Sequence, residues 1–288
     1  MLKQRVITAI VLLAILLPAL FYKTPVPFGA VALLLIAAGA WEWGRLNAFG
    51  QAGSLGLAGV CLLMCGLSWY AGLLEKPLSL LWAAAGAVWV LAGGWLLRHG
   101  VAGWPRISKA LRLVGGLLAL WLAWLAVAQA RVIGVNFLLS VLLLVWVADI
   151  FAYFAGRTFG GRFSKGKLAP SISPGKSWEG VWGGMAGVVV LALVWVWLGA
   201  AGHGAAGGFW QQPTLYSRLV ARHGLVVMLL AVVFMAAMSV VGDLVESLIK
   251  RSAGVKDSSG LLPGHGGVLD RVDALLPTLP LAMMLASF

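Results

Sequence analysis

Acidic residues are concentrated in one stretch of the chain, residues 242–273. Five of the nine acidic residues fall there, although the chain is 61% hydrophobic and only 10% charged. Asp243 and Ser247 are four positions apart, as are Glu246 and Lys250, so each pair is expected to share a helix face. The stretch is therefore predicted to begin as the polar end of a helix, with carboxylates placed for chemistry on a charged substrate.

Glycines follow this predicted helix end and surround His265. Glycine lets the backbone approach a ligand closely, and amide N–H groups in such turns form concavities that bind anions. We therefore expect Gly266 and Gly267 to offer backbone amides to a phosphate group. His265 would either take part in catalysis or make a structural hydrogen bond within the turn, and the sequence leaves both interpretations open.

The carboxylates near the end of the stretch suit a divalent cation. Asp270 and Asp273 are three positions apart, which puts both on one side if this segment is helical, and Asp243 can join them in space. Mg²⁺ takes oxygen ligands and bridges to substrate phosphates. The sequence thus predicts Mg²⁺ as cofactor, held by Asp243, Asp270 and Asp273.

A second polar segment, residues 162–179, combines lysines and serines with turn-forming prolines. Ammonium groups and hydroxyls both bind phosphate oxygens, so the segment is a candidate polyphosphate-binding loop. A basic loop that only orients the protein in the membrane would have the same composition. The candidate phosphate ligands in this segment are Lys165, Lys167, Ser173 and Lys176.

Two further acids lie at the ends of apolar segments. Placing an ionisable carboxyl inside the bilayer costs free energy, so Asp149 is expected either to be functional or to pair with Arg157 or Arg162. Glu42 stands between Trp41 and Trp43, where a position at the membrane interface is expected.

The composition excludes an ordinary soluble domain, in which roughly 25% of residues are charged. With a mean hydropathy of +0.98, the chain is predicted to be an all-α polytopic membrane protein. The net charge of +12 is explained by anionic lipid head groups and topogenic loops, without nucleic acid. Nine spans are predicted, at about 6–21, 25–41, 53–74, 78–97, 111–130, 132–155, 180–201, 224–241 and 274–288.

The distribution of Lys and Arg predicts which side of the membrane carries the polar stretches. With nine spans, sixteen of the twenty-one Lys and Arg fall on one side, which is expected to be cytoplasmic. Both polar loops lie on that side, so a catalytic cluster is predicted at the cytoplasmic face of the inner membrane. We divide the predicted helices into an N-terminal group, 1–130, and a C-terminal group with the cytoplasmic loops, 131–288.

The segment from Ser247 to Asp273 resembles the signature of a known family, the phosphatidate cytidylyltransferases, also called CDP-diacylglycerol synthases. The matching positions are Ser247, Lys250-Arg251, Lys256-Asp257, the run His265-Gly266-Gly267 and the final Asp270-Arg271-x-Asp273. Twenty-seven residues with fixed spacing are far more specific than an isolated glycine motif.

A second segment, Pro170 to Gly180, also resembles that family. The family pattern is Pro-Ser-x-Ser-Pro-x-Lys-Thr-x-Glu-Gly, and this chain has Ser177 in place of Thr and Gly175 where a basic residue is common. The Asp149 to Gly161 segment resembles the usual lead-in. By motif, the resemblance covers roughly the C-terminal half of the chain.

The resemblance implies the transfer of a cytidylyl group from CTP to phosphatidic acid, in a membrane, with Mg²⁺; a homodimer is compatible with it. Asp243 and Asp270 are the expected primary metal ligands, with Asp273 as a third or supporting carboxylate. The expected catalytic residues are Asp243, Lys256, His265, Asp270 and Arg271. The expected substrate-binding residues are Lys165, Lys167, Ser173, Lys176, Lys250, Arg251, Gly266 and Gly267.

Two other classes of protein remain open at the level of the sequence. A transporter would also have intramembrane acids such as Asp149 and glycine-interrupted spans, although the polar residues cluster in two loops and no inverted repeat is visible. A related transferase would use another nucleotide or another lipid phosphate as acceptor.

Overall fold

The computed structural model describes residues 2–164, 166–200 and 209–288. Lys165, a predicted phosphate ligand, lies outside the described residues. The described chain forms α1 (Leu2–Phe21), α2 (Val26–Leu46), α3 (Gln51–Tyr70), α4 (Ser79–His99), α5 (Lys109–Ile133), α6 (Val135–Phe159), β1 (Lys167–Ala169), β2 (Ser173–Ser177), α7 (Trp178–Ala200), α8 (Leu215–Ser252), α9 (Leu269–Val272) and α10 (Leu275–Ser287).

The predicted fold class is confirmed: the protein is an all-α integral membrane protein. Within the described residues, eight helices, α1 to α8, are long and apolar enough to cross a bilayer. The ninth predicted span corresponds to α10, whose 13 residues are fewer than the roughly 20 that a spanning helix needs. Many large apolar side chains are exposed, as expected of a surface that faces lipid.

Helix α8 carries the first part of the acidic stretch. Its backbone is non-helical at Gly224 (φ 81°, ψ 172°), so a short first segment is followed by a long one that ends at Ser252. The prediction that 242–250 is a helix end is confirmed, and Gly254 follows with φ 74°. The predicted span 224–241 therefore continues for three further turns into the polar region.

Helices α6 and α7 approach each other closely because α7 has a row of glycines facing α6. A Cβ atom on Gly183 would lie 2.2 Å from the Cβ of Ala155, and one on Gly184 would lie 2.8 Å from the carbonyl oxygen of Ala148. Small residues at such positions let helix backbones pack closely in membranes, where the hydrophobic effect does not drive helix association. This packing fixes α7 and the loop before it beside Asp149.

The two halves of the chain pack together. Helix α10, at the C-terminus, contacts α4 and α5 from the N-terminal half as well as α8. Helix α2 packs on α3 and α5 and also reaches α9. The acidic stretch is therefore enclosed by helices from both ends of the chain.

The 162–179 segment contains a small antiparallel hairpin that the sequence pattern does not predict. Strands β1 and β2 pair Lys167 with Ser177 and Ala169 with Ser173. Helix α7 begins at Trp178, directly after β2. The hairpin thus positions Lys176 at the start of a spanning helix.

We predict that Gly184→Ala destabilises the protein, because the added methyl group would meet a backbone carbonyl of α6. Overpacking of this kind costs about 1–3 kcal/mol. Gly59→Ala is the matched control, since a Cβ atom at Gly59 in α3 meets nothing within 4 Å and should gain helix propensity. Thermal unfolding in detergent measures both. Equal unfolding midpoints for the two variants would contradict the proposed packing.

Candidate active site

The signature loop, residues 254–268, is attached to the N-terminal half of the chain through Glu42. This side chain is 0% exposed, and each of its oxygens accepts two hydrogen bonds. Oε1 accepts from the hydroxyl of Ser259 (2.5 Å) and the amide of Val268 (2.9 Å). Oε2 accepts from the hydroxyl of Ser258 (3.0 Å) and the amide of Leu269 (2.8 Å). The carboxylate therefore holds both ends of the loop's glycine-rich part.

The sequence suggested only a position at the membrane interface for Glu42, and the structure shows that its side chain is buried against the signature loop. Its four donors come from a loop more than 200 residues later in the chain, so neither its position beside two tryptophans nor local spacing could reveal this role. A buried carboxylate is tolerated only where hydrogen bonds replace its hydration, and the signature loop supplies them. Glu42 is thus a residue of the site region that sequence reasoning missed.

Asp270 organises the same loop from the other side. Its Oδ2 accepts hydrogen bonds from the amides of Ser258 at 2.9 Å and Gly267 at 2.7 Å. The Ser258 hydroxyl also lies 2.9 Å from Oδ2, so its single proton is shared between Asp270 and Glu42. Its Oδ1 lies 2.5 Å from the ammonium of Lys250, which also pairs with Glu246 at 2.5 Å. Although burial raises the pKa of Asp270, these hydrogen bonds outweigh it and hold the pKa below its usual value.

The glycines around His265 serve close packing within the loop. Gly266 has φ 82°, a conformation that favours glycine, and a Cβ atom on Gly267 would lie 2.0 Å from the hydroxyl oxygen of Ser258. The amide of Gly267, predicted to bind phosphate, donates to Asp270. The backbone therefore packs closely against the loop's own side chains, and the expected contact of these amides with phosphate stays a prediction.

Lys176 and Asp243 form an ion pair that joins the two polar segments. The ammonium of Lys176, on β2, contacts Oδ2 of Asp243 on α8, 67 positions later in the chain. Ser247 donates to Oδ1 of the same carboxylate at 3.3 Å, which confirms the predicted one-turn pairing. A candidate phosphate ligand and a candidate metal ligand are thus in direct contact.

Asp149 and Asp273 lie beside this pair. The carboxylates of Asp149, Asp243 and Asp273 are close enough to repel one another. Burial, reinforced by the charge of Asp243, raises the pKa of Asp273 to about 7. Among the described residues, Asp149 forms no ion pair with either expected partner, Arg157 or Arg162, and Arg157 instead donates to the hydroxyl of Tyr153 at 2.8 Å. Asp149, Asp243 and Asp273 therefore form a carboxylate cluster, of which Asp243 pairs with Lys176.

The protein's own side chains do not complete a metal site. In residues 2–164, 166–200 and 209–288, no three Asp, Glu, His or Cys side chains are grouped closely enough to hold a metal ion by themselves. Asp243 and Asp270, two of the three predicted ligands, each have a lysine ammonium as counter-ion instead. Both carboxylates thus occupy positions where positive charge is favourable.

The remaining predicted residues surround these contacts. Lys167 and Lys256 are exposed, and Ser173 is half-buried at the start of β2. Arg251 donates to the backbone carbonyl of Ile172 at 3.4 Å and so links α8 to the hairpin. Arg271 donates to the carbonyl of His265 at 3.0 Å. The imidazole Nδ1 of His265 is buried and has no hydrogen-bond partner among the described residues.

Glu179, in the first turn of α7, is another acid whose role the sequence did not indicate. It is 4% exposed, and its Oε1 accepts hydrogen bonds from the amides of Phe163 (3.1 Å) and Ser164 (2.8 Å) and from the Ser164 hydroxyl (2.8 Å). Glu179 therefore ties the entry of the 162–179 segment to its exit. No local spacing indicates these contacts, because the donors lie 15 and 16 positions earlier in the chain.

Comparison with known proteins now decides the family. A family model of the cytidylyltransferases matches residues 3–288, nearly the whole chain. The chain belongs to the cytidylyltransferase family. It is therefore a nucleotidyltransferase, and the transporter class considered from the sequence is excluded.

Several relatives resemble the chain over most of their length. The phosphatidate cytidylyltransferase of Pseudomonas aeruginosa is 39% identical over 286 residues, which cover 97% of this chain and 95% of the relative. That of Haemophilus influenzae is 38% identical over 304 residues, with 97% and 96% covered. That of Brucella abortus is 36% identical over 278 residues, with 96% and 89% covered. The resemblance expected from two motifs thus extends over the first five helices as well.

We predict that Glu42→Gln loosens the signature loop. The amide NH₂ would face hydrogen-bond donors that now point at a carboxylate oxygen, and each buried unsatisfied donor costs about 1–3 kcal/mol. Hydrogen–deuterium exchange of the 256–268 segment should rise and cytidylyl transfer should fall. Glu75→Gln, at an exposed acid far from the loop, is the control. Unchanged exchange in Glu42→Gln would show that the loop does not depend on this carboxylate.

Proposed function

We propose that this chain transfers the cytidylyl group of CTP to phosphatidic acid, giving CDP-diacylglycerol and pyrophosphate for phospholipid biosynthesis. The observation that carries the proposal is the ion pair between Lys176 and Asp243, which joins a lysine- and serine-rich hairpin to a cluster of carboxylates. A nucleoside triphosphate needs both cations for its phosphates and carboxylates for its metal. Family membership and the names of the relatives support the same reaction.

The proposed reaction needs no strong general base. The attacking group is a phosphate monoester whose second pKa is about 6, so it is largely dianionic at neutral pH. One of its oxygens forms a bond to the α-phosphorus of CTP, while the bond from that phosphorus to the bridging oxygen breaks. Pyrophosphate leaves with the electron pair. The principal barrier is repulsion between two anions, which positioned positive charge reduces.

We propose that Lys176 contacts the CTP phosphates after exchanging Asp243 for a phosphate oxygen. Lys165, Lys167, Lys256 and Arg271 are proposed to add positive charge, with Ser173 and the amide of Gly266 as neutral donors. Lys250 pairs with Asp270, and Arg251 donates to the carbonyl of Ile172. Either cation would have to give up this bond to contact a phosphate. The imidazole Nδ1 of His265 is a further group that substrate can engage.

The donor set fits Mg²⁺. This ion commonly uses only one or two protein carboxylates, because substrate phosphates and water provide the other oxygens. Asp243 and Asp270 already attract ammonium groups, and we propose them as ligands, with Asp273 in support. When bound, the metal would neutralise charge on the phosphate oxygens. Asp149, which repels Asp243, adds to the attraction for a cation.

We propose the cytoplasmic face of the inner membrane as the location of the site. The excess of Lys and Arg in loops on the same side as the motifs supports this orientation. In this arrangement the acyl chains of the lipid substrate remain in the bilayer while its phosphate reaches the carboxylate cluster. A homodimer is compatible with the proposal, which requires no second chain.

The experiment that tests this function uses the purified chain in mixed micelles with α-labelled CTP and phosphatidic acid. We expect label in the lipid phase only when Mg²⁺ is present. Parallel reactions with a polyprenyl phosphate, and with other labelled nucleoside triphosphates, separate related transferases from the proposed one. Label transferred to another acceptor but not to phosphatidic acid would overturn the proposed substrate.

We predict that Lys176→Ala raises the KM for CTP by about tenfold or more, because a charge-assisted hydrogen bond contributes about 1.5–3 kcal/mol. Expression and insertion should be unchanged. Arg98→Ala, at an exposed cation of another loop on the proposed cytoplasmic side, is the control and should keep the original KM. If Lys176→Ala behaves like the control, the hairpin has no part in binding CTP.

We predict that Asp270→Asn reduces turnover at least about a hundredfold, because a neutral amide neither binds Mg²⁺ strongly nor balances Lys250. The variant should still insert into the membrane. Turnover at saturating CTP, measured over a range of Mg²⁺ concentrations, tests this. Near-normal turnover would remove Asp270 from the proposed site.

A further inference from the structure

A cavity lined by both apolar and charged side chains lies at the opposite end of the bundle from the carboxylate cluster. It has a volume of about 340 Å³ and is enclosed by the loop before α4, the end of α5, the start of α8 and the end of α10. Because α8 runs from this cavity to Ser252 and α10 runs back from the active site, the cavity is separated from that site by the length of the bundle. Neither polar segment of the active site contributes to it.

Positive charge predominates in the lining of this cavity. Three of the five Lys and Arg that the sequence assigns to this side line it, namely Lys76, Arg218 and Arg222, and Glu75 is the one acid among the lining residues. Within the described residues, none of these four side chains takes part in an ion pair. Arg218 and Arg222 lie one helical turn apart, where like charges destabilise a helix unless an anion lies between them.

The contacts that these cations make leave most of their donors available. The guanidinium of Arg218 lies over the ring of Phe137, 5.3 Å from its centre, and that of Arg222 donates one hydrogen bond, at 3.4 Å, to the carbonyl of Ala286. Gln129 is different, because its amide already bonds to Trp82 and to the carbonyls of Leu73 and Lys76. The ammonium of Lys76 donates one hydrogen bond, to the carbonyl of Ala71 at 3.0 Å. The cavity lining thus combines apolar side chains, one fixed amide and three cations that keep donors available.

We propose that this cavity binds the phosphate of an anionic phospholipid head group. Arginine presents a planar set of donors that matches phosphate oxygens, and the cavity volume lies within the range of small-ligand sites. A lipid is the favoured source because apolar side chains beside the cavity are exposed on the surface of a membrane-spanning bundle. Leu80, next to the lining residue Ser79, is 84% exposed, and Val226, four residues after Arg222 and just past the break at Gly224, is 70% exposed, so both can contact acyl chains.

The test measures the thermal unfolding of the full chain in a neutral detergent, followed by tryptophan fluorescence. Short-chain phosphatidylglycerol is added, and phosphatidylcholine and inorganic phosphate are added separately. We expect phosphatidylglycerol to raise the unfolding temperature, and the other two to have little effect. In Arg218→Gln and Arg222→Gln, the phosphatidylglycerol concentration that gives half of the maximal rise in unfolding temperature should increase about tenfold.

Two controls separate this cavity from other anion sites. Lys23→Gln removes a positive charge at the same end of the bundle but outside the cavity lining, and it should keep the full shift. Lys176→Ala should also keep it, because a lipid phosphate bound at the proposed active site would depend on Lys176. Basal cytidylyl transfer should be unchanged in Arg222→Gln.

Three results would overturn the proposal. One is a full shift retained in Arg222→Gln, whose exposed side chain can be replaced without disturbing the core. Another is an equal shift with phosphatidylcholine, which would indicate a general effect of lipid. The third is a full shift with inorganic phosphate alone, which would identify a site for free anions.

Discussion

The hydrogen bonding of the buried Glu42 carboxylate is the interaction on which the arrangement of the candidate active site depends. A charge with no exposure to solvent is stable only when hydrogen bonds replace its hydration, and all four of its donors belong to residues 258–269. If the signature loop moved away from α2, the buried Glu42 carboxylate would therefore lose its hydrogen-bond donors. Asp270 accepts from Ser258 and Gly267 and binds Lys250, so the loop is held to α8 as well. The carboxylates of Glu42 and Asp270 thus fix the conformation of a glycine-rich segment that would otherwise be flexible.

The second requirement is that the hairpin and α8 meet. The glycine row of α7 brings that helix against α6, and β2 directly precedes α7, so Lys176 is held within reach of Asp243. Glu179 closes the base of the same loop through Phe163 and Ser164. Close helix packing in the membrane and an ion pair at its edge together assemble two distant segments into one site. The glycines of α7 therefore contribute to the candidate site through close helix packing.

The sequence predicted those features that depend on local pattern. Apolar segments located all eight long helices, and four-residue spacings gave the contacts of Asp243 with Ser247 and of Glu246 with Lys250. It did not give the role of Glu42, because hydrogen bonds spanning 216 positions leave no local trace. The backbone amide of Gly267 was expected to face a ligand, whereas Asp270, three residues later, accepts its hydrogen bond. Whether this amide bonds to a ligand or to a side chain of the protein depends on tertiary packing, which composition and spacing do not reveal.

The central claim is that the hairpin and the carboxylate cluster form one nucleotide and metal site. The most direct measurement is a structure of the full chain with a non-reactive CTP analogue and Mn²⁺ in place of Mg²⁺, with Mn²⁺ located by its anomalous signal. The account predicts Mn²⁺ at Asp243, with the ammonium of Lys176 transferred to the analogue's phosphates. An analogue bound away from Lys176, or Mn²⁺ located away from both Asp243 and Asp270, would contradict it.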